Sequence, residues 1–161
     1  MRRALASFAL VSLILALSAA SAGASTVPTR EEYKAKADPI CETNVKANER
    51  ILAGVRTQVQ KDKLKPAAAK FAKAATALKG TRRQLLALPQ PSADSERLGN
   101  WFEYMQEEID LFNQVAKHLR AEEKSKAVRM VGALTQTGTR ANAEVLGFNF
   151  DHCRFEPSKF T

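Results

Sequence analysis

Ser95–Arg120 reads SERLGNWFEYMQEEIDLFNQVAKHLR. Within it Leu98, Phe102, Met105, Ile109, Phe112, Ala116 and Leu119 recur at alternating steps of four and three, while Glu96, Glu103, Glu107 and Asp110 fall on the other side. At 3.6 residues per turn that spacing makes an apolar stripe backed by an acidic, solvated face, which is the pattern of a helix that must bury one side.

The same steps recur on both flanks. Downstream, Ala127, Val131, Leu134, Gly138, Ala141, Val145 and Phe148 form a second stripe whose small middle residues predict close approach by a neighbour. Upstream, Leu64, Ala67, Phe71, Ala74, Leu78, Leu85 and Leu88 form a third. Ile40, Cys41, Val45, Leu52, Val55 and Val59, with Ile51 beside them, form a fourth. Glycine is scarce and β-branched runs are missing beyond the first residues, so strands have little to build on.

The punctuation divides the stripes into helices over roughly 39–62, 65–88, 94–121 and 125–146. Pro66 suits a first helical turn, and Pro89 and Pro91 end that helix. Ser92, Asp94 or Ser95 can cap the next one. Continuing the Ser95–Arg120 stripe past Leu119 would bury Glu123 and Lys126, and the stripe restarts out of phase at Ala127, so a break belongs near residues 122–125. Gly147 suits the last C-terminus. Thr29 and Glu32 form a capping box for a short leading helix, yet Pro39 predicts a kink or a restart with Asp38 as its cap. Residues 29–37 are then an arm or a bent extension. The expected fold is all-α: an up-down-up-down four-helix bundle with a short N-terminal helical arm. A more open helical array or an intertwined dimer is the rival arrangement.

The N-terminus has the three parts of an export signal. Arg2 and Arg3 precede the uncharged apolar run Ala4–Leu17, and Ala22-Gly23-Ala24 offers a small-x-small cleavage site. Residues 1–24 read as a signal peptide and 25–161 as a single domain. A retained anchor is the alternative, but the run is shorter than the roughly 20 apolar residues needed to span a bilayer. No cysteine marks a lipoprotein site. Loss of Arg2 and Arg3 lowers the formal net charge from +8 to +6, because the leader carries no acid. An exported chain with two cysteines is expected to join them, Cys41 to Cys153. The bridge requires the start of the first long helix to meet the end of the last, as in an up-down bundle. The alternative, a thiol pair for metal or redox work, has no CxxC spacing behind it.

Chemistry-bearing residues are few. Six bases and no acid lie between Leu64 and Pro91, among them Lys70, Lys73 and Arg83. They could dock an anionic lipid, an envelope polymer or nucleic acid, or simply form a solvated face beside the acidic helix. Nucleic acid is not expected, since no aromatic residue interleaves the lysines. His118 projects outward within a turn of Glu122, and His152 adjoins Cys153. Neither has a Glu three residues earlier, as di-iron bundles do. A haem or copper site pairing His152 with Met105 competes with Met105 as packing. Asn44, Asn48 and Asn142 are expected to hydrogen-bond between helices. Phe148, Phe150, Phe155 and Phe160 crowd the C-terminus, where Phe148 and Phe150 either plug the bundle end or line an apolar pocket or partner surface. Catalytic motifs are lacking.

Two stretches resemble a known group. Tyr33 with Ala37-Asp38-Pro39-Ile40-Cys41 and Ala47-Asn48, together with Ala141-Asn142 through Gly147 and Cys153, are similar to a loose set of small exported helical proteins of high-GC Gram-positive bacteria. Leu88-Pro89-Gln90-Pro91 matches the Leu-Pro-x-Pro that precedes their third helix, while Pro39 departs from their usual small residue. The resemblance implies a cysteine pair bracketing a bundle outside the cytoplasm, and no activity. The functional expectation is a non-catalytic, cofactor-free protein, secreted or in the cell envelope, monomeric or homodimeric, that binds a protein or envelope component. The alternative is a small-ligand or haem/metal carrier.

Overall fold

The computed structural model describes residues 27–156, so residues 1–24, expected as a signal peptide, and Phe160 lie outside the described residues. Among the described residues the regular elements are all helical. α1 (Arg30–Leu52) opens on the expected capping box. The Thr29 hydroxyl accepts from the Glu32 amide at 3.2 Å, and the Glu32 carboxylate accepts from the Thr29 amide at 2.7 Å. These donors stabilise the charged form and hold the Glu32 carboxyl below its ordinary range.

Residues 29–37, expected as an arm or a bent extension, run from the Thr29 cap without interruption through Pro39 into the rest of α1. Tertiary contacts on both sides of the proline explain this. Tyr33 and Ala37 are fully buried, and Asp38 is buried with its carboxylate facing the tail. Instead of capping a new helix, Asp38 accepts the amides of Asp151 at 3.2 Å and His152 at 3.1 Å. The expected helix to residue 62 is instead split. Gly54 takes a left-handed φ of 70°, and α2 (Val55–Gln60) follows it. Lys70 Nζ donates to the exposed carbonyl of Ala53, capping the break from α3 (Leu64–Leu86).

After Pro89 and Pro91 a 3₁₀ turn, Ser92–Asp94, leads into α4 (Ser95–Arg120). Asp94 stands at the N-cap position but bonds no helix amide. Its buried carboxylate takes Arg30 instead, Nε at 3.0 Å and Nη2 at 2.6 Å, tying the starts of α1 and α4 together. α4 ends where the phase change predicted. Glu122 adopts a φ of 60°, Glu123 N donates to the His118 carbonyl at 2.9 Å, and Glu122 N to that of Leu119 at 3.2 Å. α5 (Lys124–Glu144) follows. It stops three residues before Gly147, whose expected capping role is not realised. A 3₁₀ turn over Leu146–Phe148 continues the chain, and the left-handed residue is Asn149.

Four long helices thus pack together, α3 against α1, α4 against α3 and α5 against α4. No comparable packing joins α1 to α5. The C-terminal segment enters that seam. Cys153 is bonded to Cys41 with their Cα atoms 5.0 Å apart, as expected. Phe148 and Phe150 stack at 5.2 Å and are buried against Tyr33 and Trp101. They form the end plug of the bundle. Among the described residues no helix is long and apolar enough to cross a membrane.

Candidate functional site

Because α1 and α5 do not close on each other, the space between them is available. The tail fills one part of it. Phe155 is held by Asn142 on α5: its amide donates to Asn142 Oδ1 at 2.7 Å, and its carbonyl accepts from Asn142 Nδ2 at 2.9 Å. Its ring lies on Gly138, where an added Cβ would come within 2.2 Å of a ring carbon. The small residues of α5 do admit a close neighbour, but at Gly138 that neighbour is the tail and not a helix. Asn142 likewise serves the tail and not another helix.

Beyond Phe155 an apolar groove of about 420 Å³ remains. Its floor is Phe71 of α3 with Phe112, Val115 and Leu119 of α4. One wall is Leu52, Val55 and Val59, the other Ala127, Val131 and Leu134. Val128 and Val131 are exposed at 59% and 39% on its lip, although the α5 stripe predicted Val131 in the core. Val131 stays partly exposed because no helix packs over α5 there. Among the described residues the charged groups lining the groove are both cationic, Arg56 of α2 and Lys124 of α5. Lys124 pairs with Asp62 at 2.8 Å, whereas Arg56 makes no ion pair among the described residues.

On the other side of Phe155, beneath the disulfide, lies a polar chamber of about 60 Å³. It is bounded by Asn44 and Asn48 of α1, Thr81 of α3, and Trp101, Met105, Glu108 and Phe112 of α4, with Cys153 and its neighbours across the mouth. Phe112 and Phe155 face both spaces, so the tail is the partition between them. Glu108 is 4% exposed. Among the described residues its Oε1 is buried without a hydrogen-bond partner, and so is Oδ1 of Asn48. Burial, with a smaller contribution from neighbouring Glu107, pushes the Glu108 carboxyl up to about 8.

Several sequence-level expectations are redistributed. Asn48 donates to Asn44 at 3.2 Å within α1, so this bond does not cross between helices. His118 is half-buried, with Nδ1 2.6 Å from Glu123 rather than free near Glu122. His152 and Met105 do border one chamber, as a shared site would need. A water requires about 10–15 Å³ of such volume, so the chamber holds a few small molecules and no haem. No cluster of three or more His, Cys, Asp or Glu side chains suited to a metal occurs among the described residues. Lys70 is committed to Ala53, and Lys73 and Arg83 are solvent-exposed on α3, so these bases do not converge with His152, Phe148 or Phe150.

Sequence reading passed over Glu108, Arg56, Lys124 and Val128. Glu108 had a usable signal: it lies one turn from both Met105 and Phe112, hence on the buried arc of α4. Arg56 and Lys124 had none, because their proximity depends on the break at Gly54 and on the open α1–α5 seam. Comparison of the chain with protein families, curated proteins and solved structures found no match.

Proposed function

We propose that the protein is a non-catalytic, extracytoplasmic binding protein whose ligand is an envelope component with a single long acyl chain and an anionic head group. The observation that carries this reading is the apolar groove of about 420 Å³ with Arg56 and Lys124 as its charged groups. Small-molecule sites span about 300–1,000 Å³ and are mainly apolar with few polar groups to fix orientation. Arg56, without an ion-pair partner among the described residues, supplies the charge that a carboxylate or phosphate head would meet, with Lys124 and its partner Asp62 beside it.

The dimensions favour a slender chain over a protein helix. A helix is about 10–12 Å across and rises about 5.4 Å per turn, so one turn displaces roughly 400–600 Å³. The groove therefore takes no more than about one turn. Location outside the cytoplasm is supported by the export-signal pattern at Arg2–Ala24 and by the Cys41–Cys153 bridge, which persists in oxidising compartments.

The test is titration of the disulfide-bonded protein with a long-chain fatty acid, followed by calorimetry and thermal shift. Saturable binding is expected. Val131→Asp, which places a charge at an already exposed position, is expected to weaken it at least tenfold. Arg56→Glu is expected to weaken the fatty acid more than the corresponding alcohol. Absence of saturable binding, or binding indifferent to Val131→Asp, would overturn the reading.

A further inference from the structure

We propose that the chamber beneath Cys153 is a second binding site, for the ammonium ion or the terminal ammonium group of a slender primary amine. Apart from Phe112 and Phe155, which border both spaces, it uses other residues and another chemistry than the groove, and stands or falls separately.

A carboxyl oxygen of α4 and an amide oxygen of α1 are both buried at this chamber, each without a partner among the described residues. Leaving such groups unpaired is costly enough that folded proteins rarely do so. With Glu108 ionised both unpartnered atoms are acceptors, so in that state the shortfall is in donors. Thr81 spends its hydroxyl hydrogen on the Ala77 carbonyl at 3.2 Å, and Asn44 Oδ1 has a further lone pair beyond its bond from Asn48. A ligand that fits this wall therefore brings several N–H or O–H groups and no bulk. An ammonium group brings three or four donors, whereas water brings two.

On the helical side the walls suit a cation. Trp101 and Phe112 border the same space, and aromatic faces attract ammonium groups. α1, α3 and α5 contribute no titratable side chain to the chamber, only Asn44, Asn48, Thr81 and Asn142 among their polar residues. Charged or titratable neighbours are Glu107 on α4, which accepts from Thr137 and Arg140, and His152, Arg154 and Glu156 in the tail. At about 60 Å³ the chamber admits an ammonium group and a short stem.

Binding is linked to a proton. In the free protein the Glu108 carboxyl keeps its proton up to about pH 8. An entering ammonium stabilises the carboxylate, so one proton leaves to solvent as the ion pair forms, and charge balances. Affinity then rises about tenfold per pH unit below about 8 and levels off above it.

Calorimetry of the disulfide-bonded protein with ammonium chloride and methylammonium chloride tests this, using potassium chloride at equal ionic strength as the comparison. Two buffers of different ionisation enthalpy count the protons released. Saturable binding of both ammonium probes, release of one proton and the stated pH slope are expected. Glu108→Gln, which keeps the shape of the side chain, is expected to lose at least tenfold in affinity and all of the slope. Asn48→Leu is expected to weaken binding with the slope retained. No saturable heat with either probe, which would make this a water chamber only, overturns the proposal. So does equal binding of potassium, or binding by the wild-type protein without proton release.

Discussion

Glu108 couples the protonation of one side chain to the stability of the whole. Its folded carboxyl titrates at about 8, while the same group in an unfolded chain titrates near about 4.3. Between those values the native state holds a proton that the unfolded state has released, so stability is fully present below about pH 4.3 and declines as pH rises towards about 8. The slope from this one group is at most about 1.4 kcal/mol per pH unit. Glu108→Gln removes the group. In denaturant titrations at several pH values, the variant is expected to gain on the wild type steadily across the window and to hold a constant difference above it. Parallel pH profiles for the two proteins would show that Glu108 is ionised in the fold. Tyr33 is fully buried, and burial raises its phenol well above the ordinary value, so it stays neutral and acts through packing.

At the scale of elements, α1 shows how far packing can override local preference. Pro39 removes one amide donor from the helix and disfavours the helical conformation for Asp38 before it. The helix continues because Tyr33, Ala37 and Cys41 are buried on one face and Asp38 is anchored to the tail. Pro39→Ala relieves the helix without touching those anchors. It is expected to stabilise the fold by roughly 1–3 kcal/mol, read as a higher denaturant midpoint at unchanged slope. An unchanged or lower midpoint would mean that the ring itself packs in a way that offsets the lost donor. The break at Gly54 is the converse case. There the stripe continues into α2, but the backbone turns through a left-handed residue, and Lys70 satisfies the carbonyl left behind.

At the scale of the molecule, the bridge joins positions 112 residues apart. In the chain-entropy description, closing a loop of that size stabilises the native state by up to about 5 kcal/mol. It also anchors the tail, which partitions the α1–α5 seam into groove and chamber. Reduction is therefore expected to lower the melting temperature by many degrees, and native protein under non-reducing conditions to yield no free thiol. It is also expected to weaken ligand binding in both spaces at temperatures where the reduced protein is still folded. Two freely alkylated cysteines in the native protein would contradict the fold described above.

By itself the sequence determined the helical class, the positions of most helix ends and the identity of the bonded cysteines. Each depends on neighbours within a turn or two, on a phase change such as that after Leu119, or on the presence of only two thiols. The apolar arcs of α3 and α4 were legible for the same reason: Phe71, Leu85, Leu98 and Leu119 are buried as their spacing implied. Tertiary structure alone decided that α1 runs through Pro39, that Asp38 and Asp94 bond the tail and Arg30 instead of helix amides, and that Val131 faces a groove. Those outcomes turn on which surfaces meet, and periodicity says only that an apolar face will be covered, not by what. Between α1 and α5 the cover is a short length of tail. It is too small to fill the seam, so an apolar groove remains on one side of Phe155 and the carboxyl of Glu108 is enclosed on the other.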